Sequence, residues 1–211
     1  MSEFAVTITA KEQAELLEVE TSLDNLGSNE VAGKTLATLI SAGTELNSAY
    51  LADNNFPKRP GYASVFEVTN VGNEVTRLQP GDHVFCMGNH ASFQRKPQEQ
   101  ILPVPNGLAP ETAVFARMMS VSMTTLTTTT ARPPSKVLIT GLGLVGHLAS
   151  KNFQSCGYDV YASDPVASRR QIASETGIHN VLDAVPLNNS DLCGHFHLAI
   201  ECSGHEQALL D

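Results

Sequence analysis

The sequence predicts an α/β protein of two unlike parts: a β-rich domain over residues 1–132 and a parallel, doubly wound domain over 133–211 that holds its first four strands. Three observations carry this. Up to about residue 130, short runs of β-type residues alternate with Gly, Pro and Asn turns. From Lys136 the pattern becomes strand, helix, strand, helix, strand, the mark of a parallel sheet with helices on its faces. At the change, the apolar run Lys136–Thr140 enters Gly141-Leu142-Gly143-Leu144-Val145-Gly146 and is answered by Asp164.

In chain order, the first domain is expected to place strands at Ala5–Ile8, Glu15–Val19, Lys34–Ile40, Ser64–Val71, His83–Cys86 and Gln100–Val104, in an irregular, barrel-like arrangement. Gln79-Pro80-Gly81-Asp82 supplies a sharp turn before His83. Pro110 opens an apolar stretch, Ala113 to Leu126, that reads as helix. Thr124–Thr130 frays it, because β-branched side chains lose rotamer freedom in a helix. Ala131-Arg132-Pro133-Pro134-Ser135 ends it and marks the domain boundary. The second domain is expected to run through strands Val137–Thr140, Asp159–Ser163, Val181–Leu182 and His197–Cys202, with helices Val145–Cys156 and Ala167–Thr176.

The glycine run has a chemical reading. Gly141 allows a tight turn, Gly143 lets a pyrophosphate approach the backbone, and Gly146 lets the helix lie close to the strand. Leu144 leads into that helix, Val145 and Gly146 open it, and its free N–H groups face the phosphates. Asp164 lies 23 residues after Gly141, where a carboxylate accepts hydrogen bonds from an adenosine ribose. Its charge repels a 2′-phosphate, so NAD is expected over NADP. Arg169 and Arg170 are the counterweight, and more simply sit on the exposed start of a helix.

Composition narrows the partners. The chain has 211 residues, 42% hydrophobic and 17% charged, in the range of a globular protein able to bury a core. A net charge of −9 argues against nucleic acid or an anionic membrane as partner. No segment reads as a signal peptide or a membrane span. The dispersed Cys86, Cys156, Cys193 and Cys202 fit free thiols in a reducing, cytoplasmic setting. Cys193, His195, His197 and Cys202 invite a metal, but they fall at or within one strand, away from the ligand-bearing ends of a parallel sheet, so none is expected there. His90, after Met87-Gly88-Asn89, is either a site residue on a loop or a solvated histidine.

With those residues in hand, the chain resembles the medium-chain dehydrogenase/reductase family, the alcohol-dehydrogenase-like enzymes, from about Lys34 onward. Ser41-Ala42-Gly43-Thr44-Glu45 resembles the family's Cys-Gly-Thr-Asp segment. Pro60-Gly61-Tyr62-Ala63, with Val68, Val71, Gly72 and Val75 beyond it, resembles its Gly-His-Glu region, and Pro80-Gly81-Asp82-His83-Val84 its Gly-Asp-Arg-Val turn. The resemblance implies a GroES-like catalytic domain, a partial Rossmann domain and a cofactor in the cleft between them. It also implies ribose contacts at Cys202-Ser203-Gly204, and a homodimer in the full-length protein. Where zinc-dependent members hold their catalytic metal, this chain carries Ala42, Tyr62 and Arg117, and the four-cysteine structural-zinc lobe is missing. None of the three suits zinc, which takes thiolate, imidazole or carboxylate. No zinc is expected.

A substrate oxygen beside a nicotinamide still needs charge stabilisation. Arg117 would supply it, with Glu45 pairing with it or orienting it, and Tyr62 and Thr44 are the hydroxyls that would relay the substrate proton. The bland readings are an ion pair for Arg117, core filling for Tyr62 and a helix cap for Thr44. The chain stops at Asp211, after the fourth strand, and a six-stranded sheet takes about 60 residues more at roughly 30 per βα unit. It therefore reads as a fragment or a truncated product, holding the adenosine half of the cofactor's bed. The expected function is a cytoplasmic, zinc-independent, NAD-linked oxidoreductase acting on a small alcohol, carbonyl or enone. A quinone- or enoyl-type reductase and a catalytically silent NAD(H)-binding protein are the alternatives.

Overall fold

The computed structural model describes residues 2–20, 23 and 25–206. Contacts divide the chain into two units, one up to Arg117 and one from Met118 on.

In the first unit, β1 (Glu3–Ala10) and β2 (Gln13–Val19) form an antiparallel hairpin. A five-stranded antiparallel sheet follows from β3 (Glu30–Leu39), β4 (Ala63–Val71), β5 (His83–Cys86), β6 (Phe93–Pro97) and β7 (Ile101–Pro103), in the order β6-β3-β4-β5-β7. Alternate residues share a face, and Phe66 with Val68, and Val84 with Cys86, meet Val31 and Ile101 in one buried core. Between β3 and β4 the chain turns through α1 (Ala42–Glu45), which widens into a π-helical segment over Leu46–Tyr50.

Strand β6 was not foreseen. Phe93-Gln94-Arg95-Lys96-Pro97 carries two cations and a proline, which suit a sheet edge because they discourage further pairing. It is an edge strand, bonded to β3. The single helix expected after Pro110 is broken into α2 (Pro110–Ala113), with Pro110 at its first helical position, and α3 (Ala116–Thr128). Helix α3 runs two residues beyond the expected Leu126. The Thr127 and Thr128 hydroxyls bond back to the carbonyls of Met123 and Thr124 at 2.8–3.0 Å, which ties β-branched residues into the last turn.

The second unit alternates β8 (Lys136–Thr140), α4 (Leu144–Ser155), β9 (Asp159–Ser163), α5 (Ala167–Glu175), β10 (Asn180–Leu182) and β11 (Leu198–Glu201). All pairings are parallel and the order is β10-β9-β8-β11, the Rossmann arrangement of a dinucleotide half with a fourth strand across the switch point. Val137, Ile139, Val160 and Ala162 from the strands pack on Ala149 and Phe153 of α4. Phe153 is fully buried and meets the Tyr158 ring edge-on at 5.1 Å. Phe153→Ala should therefore cost about 3–5 kcal/mol, read as a lower urea midpoint for the second unit. Among the described residues, no helix is long and apolar enough to cross a membrane, and the four cysteines are free thiols.

Candidate functional site

In an open parallel sheet, ligands sit outside the carboxyl ends of the strands where the order reverses. Here that point lies between β8 and β11. The glycine run leaves the end of β8, and Cys202-Ser203 leaves the end of β11. The two segments touch: Cys202 N–H donates to the Thr140 carbonyl at 2.8 Å.

The three glycines divide the work. Gly141 has φ +88° and passes its N–H to the Ser163 carbonyl at 2.7 Å, which folds the turn across the ends of β8 and β9. A Cβ on Gly146 would stand 1.8 Å from the Gly141 oxygen, so α4 lies against the turn as closely as glycine permits. At Gly143 a Cβ would meet nothing within 4 Å. That is open space at the N-cap of the 12-residue helix α4, a start that carries no side-chain cap. The N–H groups of Leu144, Val145 and Gly146 thus lack intrahelical partners and carry the positive end of the helix dipole. Open space, free donors and a helix N-terminus fit a pyrophosphate.

Asp164 is 2% exposed at the end of β9. Its Oδ2 accepts the Leu142 N–H at 2.8 Å, its Oδ1 accepts the Val166 N–H at 2.8 Å, and the Arg169 guanidinium stands 3.4 Å from Oδ2. Burial pushes this carboxyl up, and the N–H groups of Val166 and Leu142 with Arg169 more than offset it, so it lies below the ordinary carboxylate range. A carboxylate has about four lone-pair sites, and Leu142, Val166 and Arg169 engage three of them. The spacing to Gly141 singled out this residue but did not reveal that it clamps the middle of the glycine turn. Arg169 and Arg170 do lie in the first turn of α5. Arg170 spends a nitrogen on the carbonyls of Asp164 and Pro165, each at 2.8 Å.

At β11, Glu201 accepts bonds from the Ser203 hydroxyl, the Ser203 N–H and the Gly204 N–H. The Ser203 hydroxyl, helped by those N–H groups against partial burial, holds the Glu201 carboxyl low. Burial, with the Glu201 charge, pushes the Cys202 thiol up to about 11, so it stays protonated. With both N–H groups spent on Thr140 and Glu201, what Cys202 and Ser203 offer a ligand is mainly their carbonyl oxygens. The sequence reading passed over Glu201 and Thr140. Thr140 Oγ1 is buried at the end of β8 without a hydrogen-bond partner in the structure, a hydroxyl left over beside the turn.

In the first unit, two of the expected substrate-side residues meet. The Arg117 guanidinium carbon lies 4.6 Å from the centroid of the Tyr62 ring, a cation–π contact. Thr44 is exposed on α1 and its hydroxyl bonds the Ser41 hydroxyl at 3.0 Å. The two Glu45 oxygens take the Ser41 N–H at 2.8 Å and the His90 ring at 2.9 Å. His90, half expected to be solvated, is partly buried with both ring nitrogens bonded. Where the resemblance implies zinc ligands stand a methyl group and a stacked Tyr–Arg pair. Among the described residues, no three His, Cys, Asp or Glu side chains come together to hold a metal.

No family model matches the chain. An aldehyde reductase of Synechocystis is 24% identical over 171 residues, covering 62% of this chain and 48% of that one. An alcohol dehydrogenase of Geobacillus stearothermophilus is 24% identical over 191 residues, covering 72% and 56%. The chain thus spans about half the length of the curated relatives it matches. A Sinorhizobium meliloti structure described as a putative zinc-binding dehydrogenase bound to NADP superposes with a TM-score of 0.84, at 18% identity, over 99% of this chain and 72% of that one. Acetophenone reductase from Geotrichum candidum, solved with NAD, gives 0.82 at 18% identity, over 100% and 71%. Those likenesses fix the fold, a GroES-like domain followed by part of a Rossmann domain. The curated relatives are an aldehyde reductase and an alcohol dehydrogenase, and the fold is the one these solved dehydrogenases and reductases share.

Proposed function

We propose that the chain belongs to a zinc-independent, NAD-linked oxidoreductase acting on a small alcohol or carbonyl compound. The observation that carries this is the glycine turn: open at Gly143, closed at Gly146 and clamped by Asp164. When bound, the nicotinamide supplies or accepts a hydride. The chain's own residues do the rest. Leu144, Val145 and Gly146 bind the pyrophosphate through their N–H groups, and Asp164 orients the adenosine ribose. A buried anion at that point disfavours a 2′-phosphate. The cations that would welcome one, Arg169 and Arg170, are engaged by Asp164 and by carbonyls. This supports NAD over NADP.

Ala42, Tyr62 and Arg117 do not fit a catalytic zinc, which takes thiolate, imidazole or carboxylate. Arg117, its guanidinium held against the Tyr62 ring, supplies the positive charge that a developing alkoxide needs. The Tyr62 and Thr44 hydroxyls are donors for the same oxygen.

The chain has no Trp, so binding is best followed by the emission of NADH itself. We expect NADH to bind more tightly than NADPH, and turnover on at least one of a panel of alcohols, polyols and enones. Arg117→Leu should then lower hydride transfer about 100-fold and Tyr62→Phe about tenfold. Near-parental rates in both sink the assignment of the substrate side. Binding without turnover on the whole panel would mark a silent nucleotide-binding protein.

A further inference from the structure

A hydroxyl, an imidazole and a carboxylate stand in line within the first unit. His90 Nδ1 lies 2.8 Å from Thr38 Oγ1, and its Nε2 lies 2.9 Å from Glu45 Oε2. The three come from β3, α1 and the loop before β6. The His90 and Glu45 side chains are only 11% and 15% exposed, whereas Thr38 reaches partly to the surface.

The chemistry of the end groups fixes the protons. An ionised carboxylate accepts hydrogen bonds and donates none, so Glu45 assigns the proton of a neutral His90 ring to Nε2. Nδ1 then keeps its lone pair, and the Thr38 hydroxyl donates to it. When the ring is protonated the second bond reverses. Nδ1–H donates to Thr38 Oγ1, and the hydroxyl proton is free to turn toward another acceptor. One oxygen thus works as a base in one state and as an acid in the other.

The ring is also held in place. His90 N–H donates to the Pro60 carbonyl at 2.9 Å, and the His90 carbonyl accepts the Val6 N–H at 2.8 Å. Gly61 lies so close that a Cβ there would stand 2.3 Å from Asn89 Cα. The other Glu45 oxygen is fixed by Ser41. Glu45 is the ionisable side chain bonded to the ring. The elements around it also carry Glu3 on β1, Lys34 on β3, and Lys58, Arg59 and Tyr62 beside Pro60.

We propose that Thr38, His90 and Glu45 form an acid–base unit in which the Thr38 oxygen exchanges a proton with a substrate oxygen, His90 is its base and Glu45 is the positioning residue. The identity of that oxygen, an alcohol or carbonyl, rests on the oxidoreductase reading. In the oxidising direction the substrate O–H bond breaks as a Thr38 O–H bond forms, and the original Thr38 proton passes to His90 Nδ1. An imidazolium–carboxylate pair results, and the alkoxide left behind is the hydride donor that an oxidised nicotinamide dinucleotide requires. Carbonyl reduction runs the same protons backwards.

The test couples a spectrum to kinetics. In the ¹⁵N-labelled chain, the His90 ring signals, assigned by their loss in His90→Gln, should show a proton on Nε2 and an accepting Nδ1. Glu45→Gln retains an oxygen for Ser41 but sets an amide donor against Nε2, so the proton should move to Nδ1. In NAD-linked alcohol oxidation, Thr38→Val and His90→Gln should lower kcat about 100-fold with KM little changed, and Thr38→Ser should restore most of the rate. A native ring protonated on Nδ1 overturns the proposal, and so does Thr38→Val turning over at the parental rate. If the native chain binds NADH but turns nothing over, the oxidoreductase reading fails and the tautomer alone decides. Nε2–H then upholds the acid–base unit, and Nδ1–H overturns it.

Discussion

Gly146→Val should abolish NADH binding and destabilise the second unit by about 3 kcal/mol, because even its Cβ would sit 1.8 Å from the Gly141 carbonyl oxygen. The neighbour is backbone, so the strain has no flexible side chain to absorb it. Helix α4 must lift off the turn, and with it goes the packing of Phe153 on the sheet. Gly143→Ala is the informative companion. Its methyl meets no protein atom within 4 Å, and its backbone is extended, with φ −67° and ψ −172°. Stability should fall by only about 1 kcal/mol, since alanine is a poorer N-cap than glycine, while NADH binding weakens roughly 100-fold as the methyl takes the phosphate's place. Urea unfolding and NADH-emission titration of both variants check this. Equal binding losses with equal stability losses would mean that Gly143 faces no ligand.

Asp164→Ala is the second large effect. It strands the N–H groups of Leu142 and Val166, each at about 1–3 kcal/mol, so the unit should lose about 2–6 kcal/mol along with NADH binding. Asp164→Asn keeps one acceptor and removes the charge. It should retain more stability, and it should shift preference from NADH toward NADPH by releasing Arg169 from its counter-ion. The native carboxylate also sets an acid limit. Folding holds it below its ordinary value of 3.8, so its contribution is complete above that value and is lost as pH falls through the lower folded value. Urea midpoints taken from about pH 5 to well below 3.8 should fall more steeply for the native chain than for Asp164→Asn, and parallel curves would show that the clamp carries no linkage.

The second unit was the more legible in the sequence, for a physical reason. Its glycine turn is local, with Gly141, Gly143 and Gly146 within six residues, and parallel strands buried on both faces announce themselves as apolar runs. Asp159–Ser163 was read with its true bounds, and the other strands within two residues. The first unit is built from distant pairings. Arg95 and Lys96 disguised β6, because a sheet edge tolerates residues that a central strand rejects. The break between α2 and α3 left no glycine or proline to read. His90 was undecided because its partners, Thr38 and Glu45, lie 52 and 45 residues away. Spacing arguments reach one turn or one strand pair, and a three-point chain across β3, α1 and a loop lies beyond them. The stacking of Arg117 on Tyr62 depends on a similarly long-range approach.

The clamp on Leu142 has a thermodynamic consequence. Three glycines within six residues would ordinarily leave a segment with more conformational freedom to lose than almost any other. The bonds from Gly141 to Ser163 and from Leu142 to Asp164 remove that freedom during folding. A ligand then meets a turn already in its receiving shape, so ordering this segment takes nothing from its affinity. The entropy of the turn is charged to the stability of the domain, and Asp164 is the residue through which that transfer is made.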